Sequence, residues 1–293
     1  MTSEHDSPVE MMRQFVQRKL EVWPEFVAAL VVGSVAHGEA RPDSDVDCVL
    51  VFDPLDEAIV PAEFVWVPAT DSFHTIFEVE ASEVGGIQID AKRVALDEFR
   101  QGAWPEGFKH DLAHAIVLHD RNRTVTGIIE QHVAYPESLR LTRIADHLGW
   151  AGYYLEEWRL LGWIERGGIE GAHDQVTAAF EELVQLLHAC NREWLPWRYR
   201  WMTSAQRLPW LPDGYAQRRV EITSRVSPDR ESVLARRNAV ISLLDETRDR
   251  LESEGLLAGD DEAFIASHPG LGYAHNFDAW QRANRELLEE RGM

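Results

Sequence analysis

Near the N-terminus, Val9, Met12, Phe15, Val16 and Leu20 recur at helical spacing and form one apolar stripe. Ser7-Pro8 opens this helix, since proline is tolerated at a first helical position. Trp23-Pro24 closes it. The period then changes. Phe26 to Val32 is a continuous apolar run of strand length, and Val46 to Phe52, apolar except for Asp47, is a second strand. Between them, Gly33 to Asp43 is turn-like and rich in Gly, Ala and Pro. Weaker strand signals stand near Phe64 to Val67 and His74 to Val79. Gly85-Gly86 launches a third clear strand, Ile87 to Val94. A helix starting at Asp97 is interrupted by Trp104-Pro105.

The pattern shifts at Tyr135-Pro136. Strand signals nearly vanish beyond it, and eight of the 11 Trp residues lie there. Helices are expected over Glu137 to Trp163, Asp174 to Trp194, Pro228 to Glu254 and Phe277 to Arg291. Ser227-Pro228 reads as N-cap and first position of the third. The expected architecture is an α/β (α+β) domain with a mixed sheet over residues 1–130. An all-α helical domain follows over 131–293.

Composition narrows the possibilities. Of 293 residues, 45% are hydrophobic and 27% charged, the balance of a globular protein. The formal charge is −21, from 29 Lys and Arg against 50 Asp and Glu. Such a surface repels nucleic acid, whose phosphates need clustered cations. It either serves solubility or draws cations to an acidic cleft. Cys48 and Cys190 sit in apolar segments and read as small core residues. The polar, acidic start, Met1 to Ser7, is unlike a signal peptide. No apolar run approaches the ~20 residues that cross a bilayer. The expected setting is cytoplasmic, with no membrane partner.

Three features carry chemistry. The first strand runs into Gly33-Ser34, where glycine permits a sharp turn and close approach of a phosphate. Next, Ser44-Asp45-Val46-Asp47 enters the second strand. Side chains alternate there, so Asp45 and Asp47 point one way and Val46 the other, into the core. Carboxylates ~5 Å apart repel by roughly 3 kcal/mol at an effective dielectric of about 20. Such a pair calls for a cation, and oxygen ligands suit Mg²⁺. Finally, Ile87-Gln88-Ile89-Asp90 places another acid on a later strand, within reach if the two strands are neighbours.

Gly-Ser, about ten residues, Ser-Asp-x-Asp, then a later strand Asp resembles the nucleotidyltransferase superfamily of the polymerase-beta type. The two-domain layout is similar to the antibiotic (aminoglycoside and lincosamide) adenylyltransferases and to uncharacterised bacterial relatives. The resemblance implies transfer of AMP from ATP to a hydroxyl of a small acceptor, with Mg²⁺ as cofactor and antibiotic resistance as one setting. It assigns Gly33, Ser34 and Ser44 to the nucleotide phosphates, and Asp45 and Asp47 to the metal. Asp90 becomes a third ligand and candidate base. His37 stands where many members carry Arg.

The helical half carries Asn191-Arg192-Glu193-Trp194-Leu195-Pro196-Trp197-Arg198-Tyr199-Arg200-Trp201, a run similar to those relatives. Arg192, Arg198 and Arg200 are candidates for ATP phosphates; the alternative is Arg packing on Trp faces. Trp150, Tyr154 and Trp158 share a helix face at four-residue spacing, as packing or as a substrate wall. Arg140 and His147 are spaced as in RNA-cleaving helical domains, but the surrounding segment favours an ordinary histidine. Three acceptor classes stay open: a small hydroxylated molecule, a protein that is adenylylated, or none, in a nucleotide-binding module. Oligomeric state is not fixed.

Overall fold

The structure is a computed structural model that describes residues 7–41, 44–55, 74–78, 88–224, 226–257 and 261–268, with 285, 289 and 292. Asp43, the strand signal at 64–67, Gly85-Gly86 and most of the helix expected over 277–291 lie outside the described residues. Two compact units divide the chain, 1–134 and 135–293.

In the first unit, helix α1 (Pro8–Phe15) is capped by the Ser7 side chain, which accepts from the Glu10 amide at 3.3 Å. A π-helical turn, Val16–Leu20, continues it. Five strands follow: β1 (Phe26–Val31), β2 (Val46–Phe52), β3 (His74–Glu78), β4 (Gln88–Ala95) and β5 (Ile116–Asp120). Their order in the sheet is β3-β4-β2-β1-β5. The β2–β4 pair is parallel and the other three pairs are antiparallel, so the sheet is mixed as expected. The short helix α2 (Gly33–Ala36) links β1 to β2, and α3 (Leu96–Gln101), α4 (Glu106–Ala113) and α5 (Thr124–Val133) complete the unit.

Both faces of the sheet are buried, which explains why β1 is apolar throughout. Met12, Phe15 and Leu20 pack with Val46, Cys48 and Leu50 on one face. On the other, Val49, Val51 and Val94 meet Phe99, Phe108, Leu112 and Val125 of α3, α4 and α5. By alternation, Asp45 and Asp47 share the face of Val49 and Val51, and Asp90 shares that of Val94. The acids thus sit at the strand ends on the face that α3, α4 and α5 cover further along. Strand β5 did not show in the pattern: it is an edge strand, half-exposed along most of its length, and ends in His119-Asp120. The Asp120 carboxylate accepts from the Val125 and Thr126 amides and so starts α5. A domain boundary at residue 130 would fall inside α5; the units separate after Ala134.

The second unit is helical among its described residues: α6 (Glu137–Leu155), α7 (Glu157–Glu165), α8 (Ile169–Asn191), α9 (Tyr215–Ser224), α10 (Arg230–Ser253) and α11 (Asp261–Ser267). Val176, Phe180, Leu183 and Leu187 of α8 are its spine, packed with Ile144 and Leu148 of α6 and Val240 and Leu244 of α10. Two expectations need correction. The helix read as Glu137 to Trp163 breaks at Glu156, whose ψ is 124°. The carbonyl of Leu155 accepts instead from Arg237 Nε at 2.7 Å, and Leu155 and Leu160 are both buried. Helix α10 starts two residues beyond the predicted first position: Asp229, not Ser227, is the N-cap and accepts from the Ser232 amide at 2.7 Å. Aspartate outcompetes the serine because its carboxylate also meets the helix dipole.

Candidate active site

Parallel pairing of β2 and β4 sets Val46 beside Ile89 and Asp47 beside Asp90. The two isoleucine and valine side chains are fully buried. Alternation therefore sends both carboxylates to the opposite face. Asp45, one residue before β2, has the parity of Asp47. One carboxylate oxygen from each of Asp45, Asp47 and Asp90 lies within 4.8 Å of the others, and all three residues are partly buried. At that spacing each pair repels by about 3 kcal/mol at an effective dielectric of ~20. An all-oxygen donor set of this kind suits a hard divalent cation such as Mg²⁺.

Gly33 frames the cluster. Its φ is +63°, which only glycine adopts cheaply. A Cβ at this position would fall 2.8 Å from Asp47 Cγ and 2.9 Å from Asp47 Cβ. The preceding amide, of Val32, donates to the Asp47 carbonyl at 2.9 Å, so the turn is pinned to β2 beside the acid. Beneath the cluster lies Cys48. Burial, and then the charges of Asp90 and Asp47, push its thiol well above the usual range, leaving it protonated.

Residues 9–106, which hold this glycine turn and the three acids, match the nucleotidyltransferase domain family. The N-terminal unit belongs to the nucleotidyltransferase superfamily. Residues 109–202 match a domain of unknown function (DUF4037). Comparison with curated proteins finds no match. A solved nucleotidyltransferase-like protein from Exiguobacterium sibiricum is similar at 15% identity over 83% of this chain and 77% of that chain, with a TM-score of 0.42. At that level the likeness carries no argument about function.

Within the nucleotidyltransferase unit, Ser34 lies in α2, immediately after the glycine, and its carbonyl accepts from the Glu39 amide at 2.8 Å. Ser44, expected at the phosphates, has its hydroxyl accepting from the Arg41 amide at 2.9 Å and so closes the loop before Asp45. Lys92 escaped the sequence reading. It shares the β4 face of Asp90, and its ammonium sits 4.4 Å from the centroid of the Phe108 ring. The alternation Asp90-x-Lys92 was the signal that marks it.

In the helical unit, the three candidate arginines have partners of their own. Arg192, in a left-handed conformation at the end of α8, pairs with Glu137 at 3.1 Å. Arg198 pairs with Glu181 at 3.0 Å and lies over Trp201. Arg200 lies over Tyr199. Asn191 is a structural clamp: its side chain holds both the amide and the carbonyl of Trp210, at 2.8 and 3.0 Å. Trp150 stacks on Tyr154, whereas Trp158 stands beyond the Glu156 break, largely exposed. His147 bonds Glu182 at 2.7 Å, and Arg140 is buried between Glu137 and Glu254, so the pair forms no common site. Among the described residues no helix is long and apolar enough to cross a membrane.

Proposed function

We propose that the chain transfers a nucleoside monophosphate, AMP from ATP, to a hydroxyl of a small acceptor. One observation carries this reading: the in-register neighbours Asp47 and Asp90, joined by Asp45 within 4.8 Å, beside a glycine turn. Asp45 and Asp47 would hold Mg²⁺, which when bound supplies charge neutralisation at the phosphates. Gly33 lets the backbone turn tightly against Asp47, and the Ser34 hydroxyl after it is assigned to the phosphate oxygens. Asp90 accepts the proton of the acceptor hydroxyl. The new bond joins that oxygen to the α-phosphorus, the α–β phosphoanhydride bond breaks, and pyrophosphate leaves. Lys92, on the Asp90 face, adds a positive charge to an otherwise acidic site.

Arg192, Arg198 and Arg200 are assigned to the triphosphate by their sequence pattern. Each would exchange its carboxylate or ring partner for phosphate oxygens, to which guanidinium groups bind in bidentate fashion. The acidic surface, at −21 overall, favours a cationic acceptor such as an aminoglycoside over nucleic acid.

Pyrophosphate release tests the proposal, measured with each common nucleoside triphosphate and Mg²⁺ across a panel of aminoglycosides and other alcohols. Acceptor-dependent release is expected, strongest with ATP, and Asp47→Asn is expected to abolish it without loss of fold. Wild-type turnover in Asp47→Asn would sink the assignment.

A further inference from the structure

A second cluster lies in the nucleotidyltransferase unit and shares no residue with the three acids. Helix α4 carries His110, and His114 follows at its C-cap, four residues on and therefore on the same helical face. His37 caps the C-terminus of α2, just past the glycine turn. The three rings crowd together, with centroids 4.8, 4.9 and 4.7 Å apart. One ring nitrogen from each lies within 4.8 Å of the others. His110 is buried, and the His37 side chain is only 12% exposed.

We propose that His37, His110 and His114 bind a divalent transition-metal ion, with Zn²⁺ the chemical best fit. Three imidazoles are a borderline-soft donor set that suits Zn²⁺ and disfavours Mg²⁺. Zn–N bonds of about 2.0–2.1 Å bring tetrahedral ligand nitrogens to roughly 3.3 Å apart, so modest side-chain rotation closes the trio. Outer contacts already orient the rings. His114 Nδ1 lies 3.0 Å from the His110 carbonyl, which makes it a donor and leaves Nε2 for a metal. Asp111 Oδ1 lies 3.6 Å from His37 Nε2, close enough to supply a carboxylate as fourth ligand or as support. The ion would fasten the segment after Gly33-Ser34 to α4. Its role is to hold the glycine turn, whatever acceptor the enzyme uses.

Zinc titration by calorimetry tests this on the full chain, stripped with chelator and then held in excess Mg²⁺ to cover the carboxylates. About one Zn²⁺ per chain is expected to bind the wild type, with a rise in melting temperature. His114→Gln and His37→Gln are expected to weaken binding by at least about tenfold. Asp45→Asn is expected to bind zinc as the wild type does. The result is separable from the nucleotidyl-transfer reading, because no turnover is measured. Should a histidine variant fail to fold, the visible spectrum of Co²⁺-loaded wild type decides. Intense tetrahedral absorption supports the site; the weak band of six-coordinate oxygen ligation overturns it. No zinc bound by the wild type, or folded histidine variants binding as tightly as wild type, also overturns it.

Discussion

Gly33 and Asp47 occupy each other's space. The glycine has a φ of +63°, and any Cβ added there would run into the Asp47 carboxylate, 2.8 Å from its Cγ. The turn and the acid are one unit, tied further by the bond from the Val32 amide to the Asp47 carbonyl. Gly33→Ala is therefore expected to displace Asp47 and to lower nucleotidyl transfer by at least about a hundredfold. The strained φ adds a stability loss of roughly 1 kcal/mol or more. Turnover and thermal melting read the two effects separately. An alanine variant as active as wild type would falsify the packing argument.

Neutralising one acid should cost activity but not stability. Asp45, Asp47 and Asp90 repel one another in the absence of a cation, since their oxygens lie within 4.8 Å. In metal-free buffer, Asp45→Asn is expected to melt no lower than wild type. Mg²⁺ should then raise the wild-type melting temperature and leave the variant nearly unmoved. Equal Mg²⁺ shifts in both proteins would place the metal elsewhere.

The helical unit should weaken in acid. Arg140 is almost fully buried and is held by Glu137 at 2.9 Å and by Glu254. The hydrogen bond from Arg140 is the main cause that holds Glu137 below its ordinary pKa. For Glu254, burial pushes upward, but the hydrogen bonds from Arg250 and Arg140 outweigh it and the net shift is downward. Lowered folded values mean stability that is complete above the unfolded value of about 4.3 and lost as pH falls through the folded ones. Urea unfolding at pH 7 and below pH 4 is expected to show this fall. Glu254→Gln should cost roughly 1–3 kcal/mol at pH 7, since Arg140 keeps Glu137 as a partner, and flatten the acid limb. An unchanged acid limb in that variant would remove the pair as its cause.

Neither cysteine should react while the chain is folded. Burial chiefly pushes the Cys190 thiol up to about 12, and Cys48 is raised by burial and by its acidic neighbours. At pH 8 the Cys190 thiolate fraction is then about one in ten thousand. A thiol-specific chromogenic reagent is expected to count almost no thiol in native protein and both in denaturant. Rapid native labelling of Cys190 would contradict its place in the helical core.

The sequence by itself determined the two strands that flank the glycine turn, the second of which carries Asp47. Phe26–Val31 and Val46–Phe52 emerge almost as their apolar runs predict, because strands buried on both faces admit few polar residues. The parity of Asp45 and Asp47 against Val46 also follows from backbone geometry alone. Only the tertiary structure decided that β4 lies parallel to β2 with Asp90 opposite Asp47. Pairing register depends on which strands meet, and no local pattern encodes that. The same holds for the Glu156 break, made where Arg237 reaches the Leu155 carbonyl from 82 residues away. It holds as well for the histidine trio, where His37 meets His110 and His114 across more than seventy residues of chain. Local chemistry wrote the parts of this site; long-range packing chose which of them face one another.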